Sequence, residues 1–380
     1  MIRFWIAEFF AQYVDRFHMP HPSDPSNPLR FRFALDGAHG EVMAHHLRID
    51  QDNAVLSKKF RLYYKLRPFI PIILRQRLQR GRNHSIDVPD DWFLPQRFVH
   101  ELRSVVEQGP HTPVIHPWPD GFQLATVLTH DVETKDGVAL VDELARAEES
   151  LGFRSAWNFI PRKYDIDPGL LADLKNRGHE IGVHGYNHDG RLFESRQMFM
   201  RRTKPINDAV ERFGSTGFRA PMVHRNLSWL QDLNVDYDAS CFDVDPFQAM
   251  PGGVGSVWPF MAGKLVELPY TLPQDHTLLI TLGETTPNIW IKKMEFLRRL
   301  SGMAMLITHP DYLDTPARLG VYRGFLEHVA QQSDSWNALP CEVSRWWRDR
   351  DESTIRGDNL ISGPAATRGR VIRSNALLAP

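Results

Sequence analysis

The stretch EIGVHGYNHDG, residues 180–190, runs from a short apolar segment straight into two histidines four residues apart. An apolar run of that length, bounded by glycine, reads as a buried strand. His184 and His188 then fall at or just beyond its carboxyl end, with Asn187 and Asp189 beside them. On a tight loop that spacing brings two imidazoles to one side, which points to a metal site.

Working outward, the same arrangement recurs. QLATVLT (123–129), FRSAWNFI (153–160), GFRAP (217–221), YDASCF (237–242), LVELPYT (265–271) and MAMLIT (303–308) are further strand candidates. Helical patterns separate several of them. GVALVDELARAEESLG (137–152) has apolar residues at helical spacing, and DPGLLADLKNRG (167–178) carries Asp167 as N-cap, Pro168 in the first turn and Gly178 past the end. Strands alternating with helices predict an α/β protein with a parallel sheet, and about seven such units predict a barrel. Asp131, Glu133, His184, His188, Arg219, Asp238 and His309 each follow a predicted strand. In a parallel barrel those ends meet on one face.

With 380 residues, 42% hydrophobic and 24% charged, the chain is long enough for a full core. A formal net charge of -1 gives no global attraction to nucleic acid or membrane. Two cysteines are too few for a disulfide scaffold or a cysteine-based zinc finger. The apolar start, MIRFWIAEFFAQYVDRFHMP, is interrupted by Glu8 and Asp15 and lacks a small-residue cleavage site, so we expect no signal peptide. The expected organisation is an irregular N-terminal extension over 1–120, the barrel over 121–348 and a flexible tail over 349–380.

Zinc and similar divalent cations take imidazole nitrogen and carboxylate oxygen, and a catalytic site commonly has three protein ligands with one open position. His184, His188 and either Asp131 or Glu133 would complete that set. The remaining carboxylate is then free to act as a base toward water.

These residues also resemble a known family. Thr129, His130, Asp131, Val132 and Glu133, then His184 to His188, then Arg219, Ala220 and Pro221, then Asp238, then Leu306 to His309, are similar in order and spacing to the motifs of the polysaccharide deacetylases, the NodB-homology or carbohydrate esterase 4 family. The resemblance covers about residues 123–310. It implies a distorted (β/α) barrel that removes an N-acyl group, usually acetyl, from an amino sugar with a divalent metal, zinc being expected. It further implies Glu133, His184 and His188 as metal ligands, Asp131 as general base, His309 as the acid for the leaving amine, and Arg219 and Asp238 as residues that hold and tune the base. Pro221 and Met222 would border the substrate, with the backbone N–H after Pro221 stabilising the oxyanion. The spacing is of a D-x-E subgroup rather than adjacent aspartates, so the roles of Asp131 and Glu133 can be reversed. Met222 stands where the family commonly has tyrosine.

Outside the motifs, Asp275 and His276 follow a predicted strand and are candidates for a sugar subsite. Trp258 is a candidate for stacking on a sugar ring, or a core residue. His224, Arg225 and Asn226 either reach an anionic group or cap a helix. Residues 58–82, KKFRLYYKLRPFIPIILRQRLQRGR, are basic with interleaved apolar residues and no acid, a pattern of either a helix that packs its apolar stripe on the barrel and solvates its arginines or a peripheral membrane contact, with Pro68 and Pro71 interrupting a single helix. We therefore expect a cytoplasmic protein, peripheral at the inner face of the membrane, acting on an N-acylated amino sugar that is lipid-linked or nucleotide-linked, with no nucleic-acid partner. The competing expectations are a related amide or cyclic-amide hydrolase on the same scaffold, such as a deformylase or a ureide hydrolase, and a glycan-binding protein without catalysis.

Overall fold

The computed structural model describes residues 29–54, 85–108, 112–248, 250 and 253–378, with isolated positions between 62 and 82. The apolar start, residues 1–20, and most of the basic 58–82 segment lie outside the described residues.

Seven parallel segments form the centre. They are β3 (Leu124–Val132), β4 (Ala156–Phe159), β5 (Glu180–His184), β6 (Gly217–Arg219), β7 (Tyr237–Asp238), β9 (Leu265–Glu267) and β10 (Met303–Thr308). β10 pairs with β3, and the pairing continues through β4, β5, β6 and β7 to β9. Beyond β9 the chain returns to β10, where the Thr271 and Leu272 amides both donate to the Met305 carbonyl. The sheet thus curls into the distorted barrel that the alternation predicts. The strands are buried on both faces, which is why they read as apolar runs.

Helices cover the outside. α3 (Lys135–Glu149) is capped by Thr134, whose hydroxyl accepts from the Gly137 amide at 2.9 Å. α4 (Pro168–Asn176) starts on Asp167 as its sequence implies, with the Gly169 amide bonded to the carboxylate at 2.8 Å. α5 (Arg196–Phe213) and α8 (Pro316–Ala330) are long crossovers, each opened by a hydroxyl cap, Ser195 and Thr315.

The barrel does not stop where the composition changes. In the N-terminal part β1 (Phe31–Arg32) pairs antiparallel with β8 (Phe260–Ala262), and α1 (Ala38–Asn53) buries Asp50 against Arg225. The expected flexible tail is corrected, because after α9 (Pro340–Asp351) the chain continues into packed structure. β14 (Val371–Arg373) pairs antiparallel with β2 (Pro113–Ile115), and Leu377 and Leu378 are buried. Polarity misled here, since these short segments are held by backbone pairing and by the Asp120–Arg368 ion pair at 2.7 Å rather than by a long apolar run. Among the described residues no helix is long and apolar enough to cross a membrane.

Candidate metal centre

β3 and β5 both pair with β4, so their carboxyl ends lie close together on one rim of the sheet. Glu133 follows β3, His184 ends β5, and His188 stands in the next loop. One ligand atom from each lies within 4.8 Å of the others. Glu133 Oε1 is 2.7 Å from His188 Nε2 and 3.7 Å from His184 Nε2. Two donors held tetrahedrally by one zinc ion stand roughly 3.4 Å apart, and the two separations bracket that value.

The donor chemistry fits a cation. His184 Nε2 and both ring nitrogens of His188 are buried without a hydrogen-bond partner. The 2.7 Å approach of His188 to Glu133 is thus off the hydrogen-bond line, as expected for two ligands aimed at a shared point. His184 Nδ1 lies 3.1 Å from the Arg219 carbonyl, which can only accept, so its proton sits there and leaves the Nε2 lone pair free. Burial lowers the His188 pKa despite Glu133 beside it, keeping the ring in the neutral form that ligates. Burial pushes the Glu133 carboxyl up, but the neighbouring imidazoles, His188 first, hold it well below the usual range.

Backbone strain supports this loop. His188 has φ 59°, a left-handed conformation that few non-glycine residues adopt. Gly185 has φ 64°, and a Cβ there would lie 2.3 Å from Pro221 Cδ, so the Arg219–Pro221 segment can approach only a glycine. Arg202 clamps the same loop through Asp189, at 2.7 and 2.6 Å.

Asp131 stands beside the triad without completing it. Its Oδ2 is 3.8 Å from His184 Nε2, while Oδ1 accepts from Arg219 Nη1 and Asn158 Nδ2, both at 3.0 Å. Burial raises its pKa, and Arg219, His184 and His309 more than offset that, so the carboxylate is ionised. Asn158 escapes a motif-based reading, since no sequence signal distinguishes it within an apolar strand. Its partner Gly182 gives a clue, because a Cβ there would sit 1.9 Å from Asn158 Oδ1.

His309 closes the group, its Nε2 3.6 Å from Glu133 Oε1. Here the structure changes an expectation: Asp275 does not line a sugar subsite but is fully buried behind His309, bonded to its Nδ1 at 2.8 Å and its amide at 2.6 Å. His276 stands next to it, its ring 5.3 Å from that of Tyr312, which in turn lies 4.9 Å from His309.

The expectations for Asp238 and Trp258 are corrected, and of the two alternatives for Asn226 the helix cap is the one found. Asp238 is fully buried and binds Ser240, whose hydroxyl accepts the Ala220 amide at 2.9 Å, so among its hydrogen bonds none reaches Asp131. Its neighbour across the strands is Glu267, and burial together with the Asp238 charge raises the Glu267 carboxyl well above its ordinary range. Trp258 is fully buried, its indole N–H donating to the Leu300 and Ser301 carbonyls at 3.0 Å, which makes it core. Arg225 is taken up by Asp50, and Asn226 caps α6 (Leu227–Leu230) by accepting the Trp229 amide at 3.1 Å. Pro221 is buried and Met222 half-buried, in a turn where Met222 and Val223 have φ 58° and 48°.

No protein-family model and no curated protein matches this chain. Among solved structures, a Mycobacterium smegmatis protein assigned to the polysaccharide deacetylases matches with 22% identity and a TM-score of 0.51, over 64% of this chain and 96% of its own. Puue allantoinase matches at 15% identity and a TM-score of 0.45, over 69% of this chain and 98% of its own. A Pseudomonas aeruginosa PAO1 protein assigned to the polysaccharide deacetylases matches at 16% and 0.44, over 63% and 95%. The likeness to the first of these shows the fold: the chain has the curled (β/α) barrel of the polysaccharide deacetylases.

Proposed function

We propose that the protein is a metal-dependent amide hydrolase that removes an N-acyl group, acetyl in the first instance, from an amino sugar. The observation that carries this reading is the convergence of Glu133, His184 and His188 on one point, with an ionised carboxylate on one side and a charged imidazole on the other.

A divalent cation, with zinc the choice of this donor set, would supply Lewis acidity that polarises the acyl carbonyl and acidifies water. The chain supplies the rest. Asp131, held by Arg219 and Asn158, takes the proton from the attacking water as the new C–O bond forms to the acyl carbon. His309, kept protonated by Asp275, gives a proton to the nitrogen as the C–N bond breaks, leaving a free amine and a carboxylate. The Met222 amide is the assigned donor for the developing oxyanion. Glu133 keeps 19% of its side-chain surface exposed while the imidazoles are covered, so the acyl group would enter past that carboxylate.

The test is elemental analysis of the purified protein together with release of free amine from a panel of N-acetylated amino sugars. Release that tracks metal content supports the reading. Opening of a cyclic amide in place of the sugars would reassign the substrate, and bound metal with no turnover on any amide would remove the catalytic claim.

A further inference from the structure

Glu180 begins β5 and His184 ends it, so the two mark opposite rims of the barrel, separated by about 13 Å of strand at roughly 3.3 Å per residue. At the Glu180 rim, away from the candidate metal centre, residues of β5, α4 and α9 line a cavity of about 400 Å³. That volume falls in the range of small-molecule sites, roughly 300–1,000 Å³. None of Asp131, Glu133, His184, His188 and His309 lines it.

The lining is electrically uneven. Lys175, Arg345 and Arg348 bring three cations to it. Lys175 gives its ammonium to the Phe213 carbonyl, and Arg348 spans the carbonyls of Asp236 and Lys264. A carbonyl fixes the position of a cation without cancelling its charge. The exposed Arg345 side chain has no hydrogen-bond or ion-pair partner among the described residues, and none of the three cations pairs with a carboxylate there. Of the two acids in the lining, Glu180 is buried and already engaged, accepting from the Tyr237 hydroxyl at 2.8 Å and the Cys341 amide at 2.9 Å. Burial also raises its carboxyl above the ordinary value. Asp236 is the other, and it is exposed.

α9 sets two of the cations side by side. Arg345 and Arg348 are three residues apart, one helical turn along a shared face. In the same wall the Ser344 hydroxyl is buried and has no hydrogen-bond partner among the described residues. The first amides of the helix are not the donors here, because Glu342 and Glu180 already occupy those of Leu339 and Cys341.

We infer that this cavity is a second binding site, separate from the metal centre, for a small metabolite that bears a phosphate group. Charge and shape select that class. Guanidinium forks match pairs of phosphate oxygens, and a phosphate monoester brings up to two negative charges and three acceptor oxygens to a surplus of cations. A carboxylate brings one charge and two oxygens, and a neutral sugar answers none of the unpaired charge. The inference does not depend on the hydrolase reading, since the two sites share no residue.

The experiment is isothermal titration calorimetry on the full-length protein with glycerol phosphate, pyrophosphate, succinate and glycerol. Saturable binding is expected with the two phosphates, weakening as salt is raised, and not with glycerol. Succinate should bind at least about tenfold more weakly than either phosphate. Arg345→Gln should lower phosphate affinity by about tenfold or more, the effect of losing one charge-assisted contact, and Lys175→Gln should act in the same direction. Because Arg345 holds no partner, its variant should keep the circular dichroism spectrum, metal content and amine release of the parent. Glu133→Gln, which removes a proposed metal ligand, should leave phosphate binding unchanged. Binding that disappears in Glu133→Gln would place the anion at the metal centre and overturn the inference. So would the absence of phosphate binding, succinate binding as tight as phosphate, or phosphate affinity indifferent to both Arg345→Gln and Lys175→Gln. Since calorimetry needs no turnover, failure of this site and failure of the hydrolase reading give different results.

Discussion

Asp275 holds His309 by two contacts at once, one oxygen 2.8 Å from the ring Nδ1 and the other accepting the His309 amide at 2.6 Å. Burial alone would lower the histidine's pKa, but the Asp275 charge and hydrogen bond, joined by Glu133, raise it well above the ordinary value. A raised value means that the charged acid persists to higher pH and is lost as pH climbs through the folded value. Asp275→Asn should therefore move the alkaline limb of the kcat/KM profile to lower pH, by about 1 to 3 units. A limb that stays in place would separate Asp275 from the acid's function.

Asp131 contacts Arg219 and Asn158 rather than completing the ligand triad. Asp131→Asn should keep the metal at full stoichiometry while turnover falls by roughly 100- to 10,000-fold, the range for loss of a general base. Elemental analysis beside steady-state rates checks both halves. Loss of metal in this variant, with metal retained in Glu133→Gln, would exchange the two roles.

His188 combines a ligand nitrogen with a left-handed backbone, φ 59°. His188→Gly removes the imidazole without adding strain, because glycine accepts that conformation. Metal affinity should fall by more than roughly 100-fold, beyond the effect of losing a residue that only supports a ligand. The circular dichroism spectrum should be unchanged. Full metal occupancy in the variant would mean that the ion is held elsewhere.

The Asp238–Glu267 pair predicts a pH dependence of stability. Glu267 is raised well above its ordinary value, by burial first and by Asp238 second. A carboxyl with a raised folded value contributes its full stability below the unfolded value, near 4.5. That contribution is lost as pH rises toward the folded value, at about 1.4 kcal/mol per pH unit for one proton. Glu267→Gln supplies a permanent donor to Asp238, so its Tm should match the parent at acid pH and exceed it increasingly toward neutrality. Parallel Tm profiles would show that the Glu267 carboxyl is not raised in the folded protein.

Much of this architecture was legible from residue order. Each of the seven strands of the ring falls within a segment expected as a strand, most plainly β3 and β10, whose burial on both faces calls for apolar side chains, and the α4 boundaries follow from Asp167, Pro168 and Gly178. The three candidate donors that converge, Glu133, His184 and His188, were legible too, since imidazoles at or just past a strand end are conspicuous. The packed segment 354–378 was not, for it is held by backbone pairing, which leaves little trace in composition.

By itself, then, the order of amino acids determined which segments become strands and which polar side chains stand at their ends, because burial and periodicity are local demands. Which of those side chains meet was decided by the closure of the ring. Closure put Asp275 behind His309, sent Asp238 to Glu267 and Ser240, brought Asn158 over Gly182 to Asp131, and placed Trp258 in the core. Apart from Asp238 with Ser240, each of these contacts joins residues far apart in the chain, and their meeting depends on the curl and register of the whole sheet, which no short stretch of chain encodes.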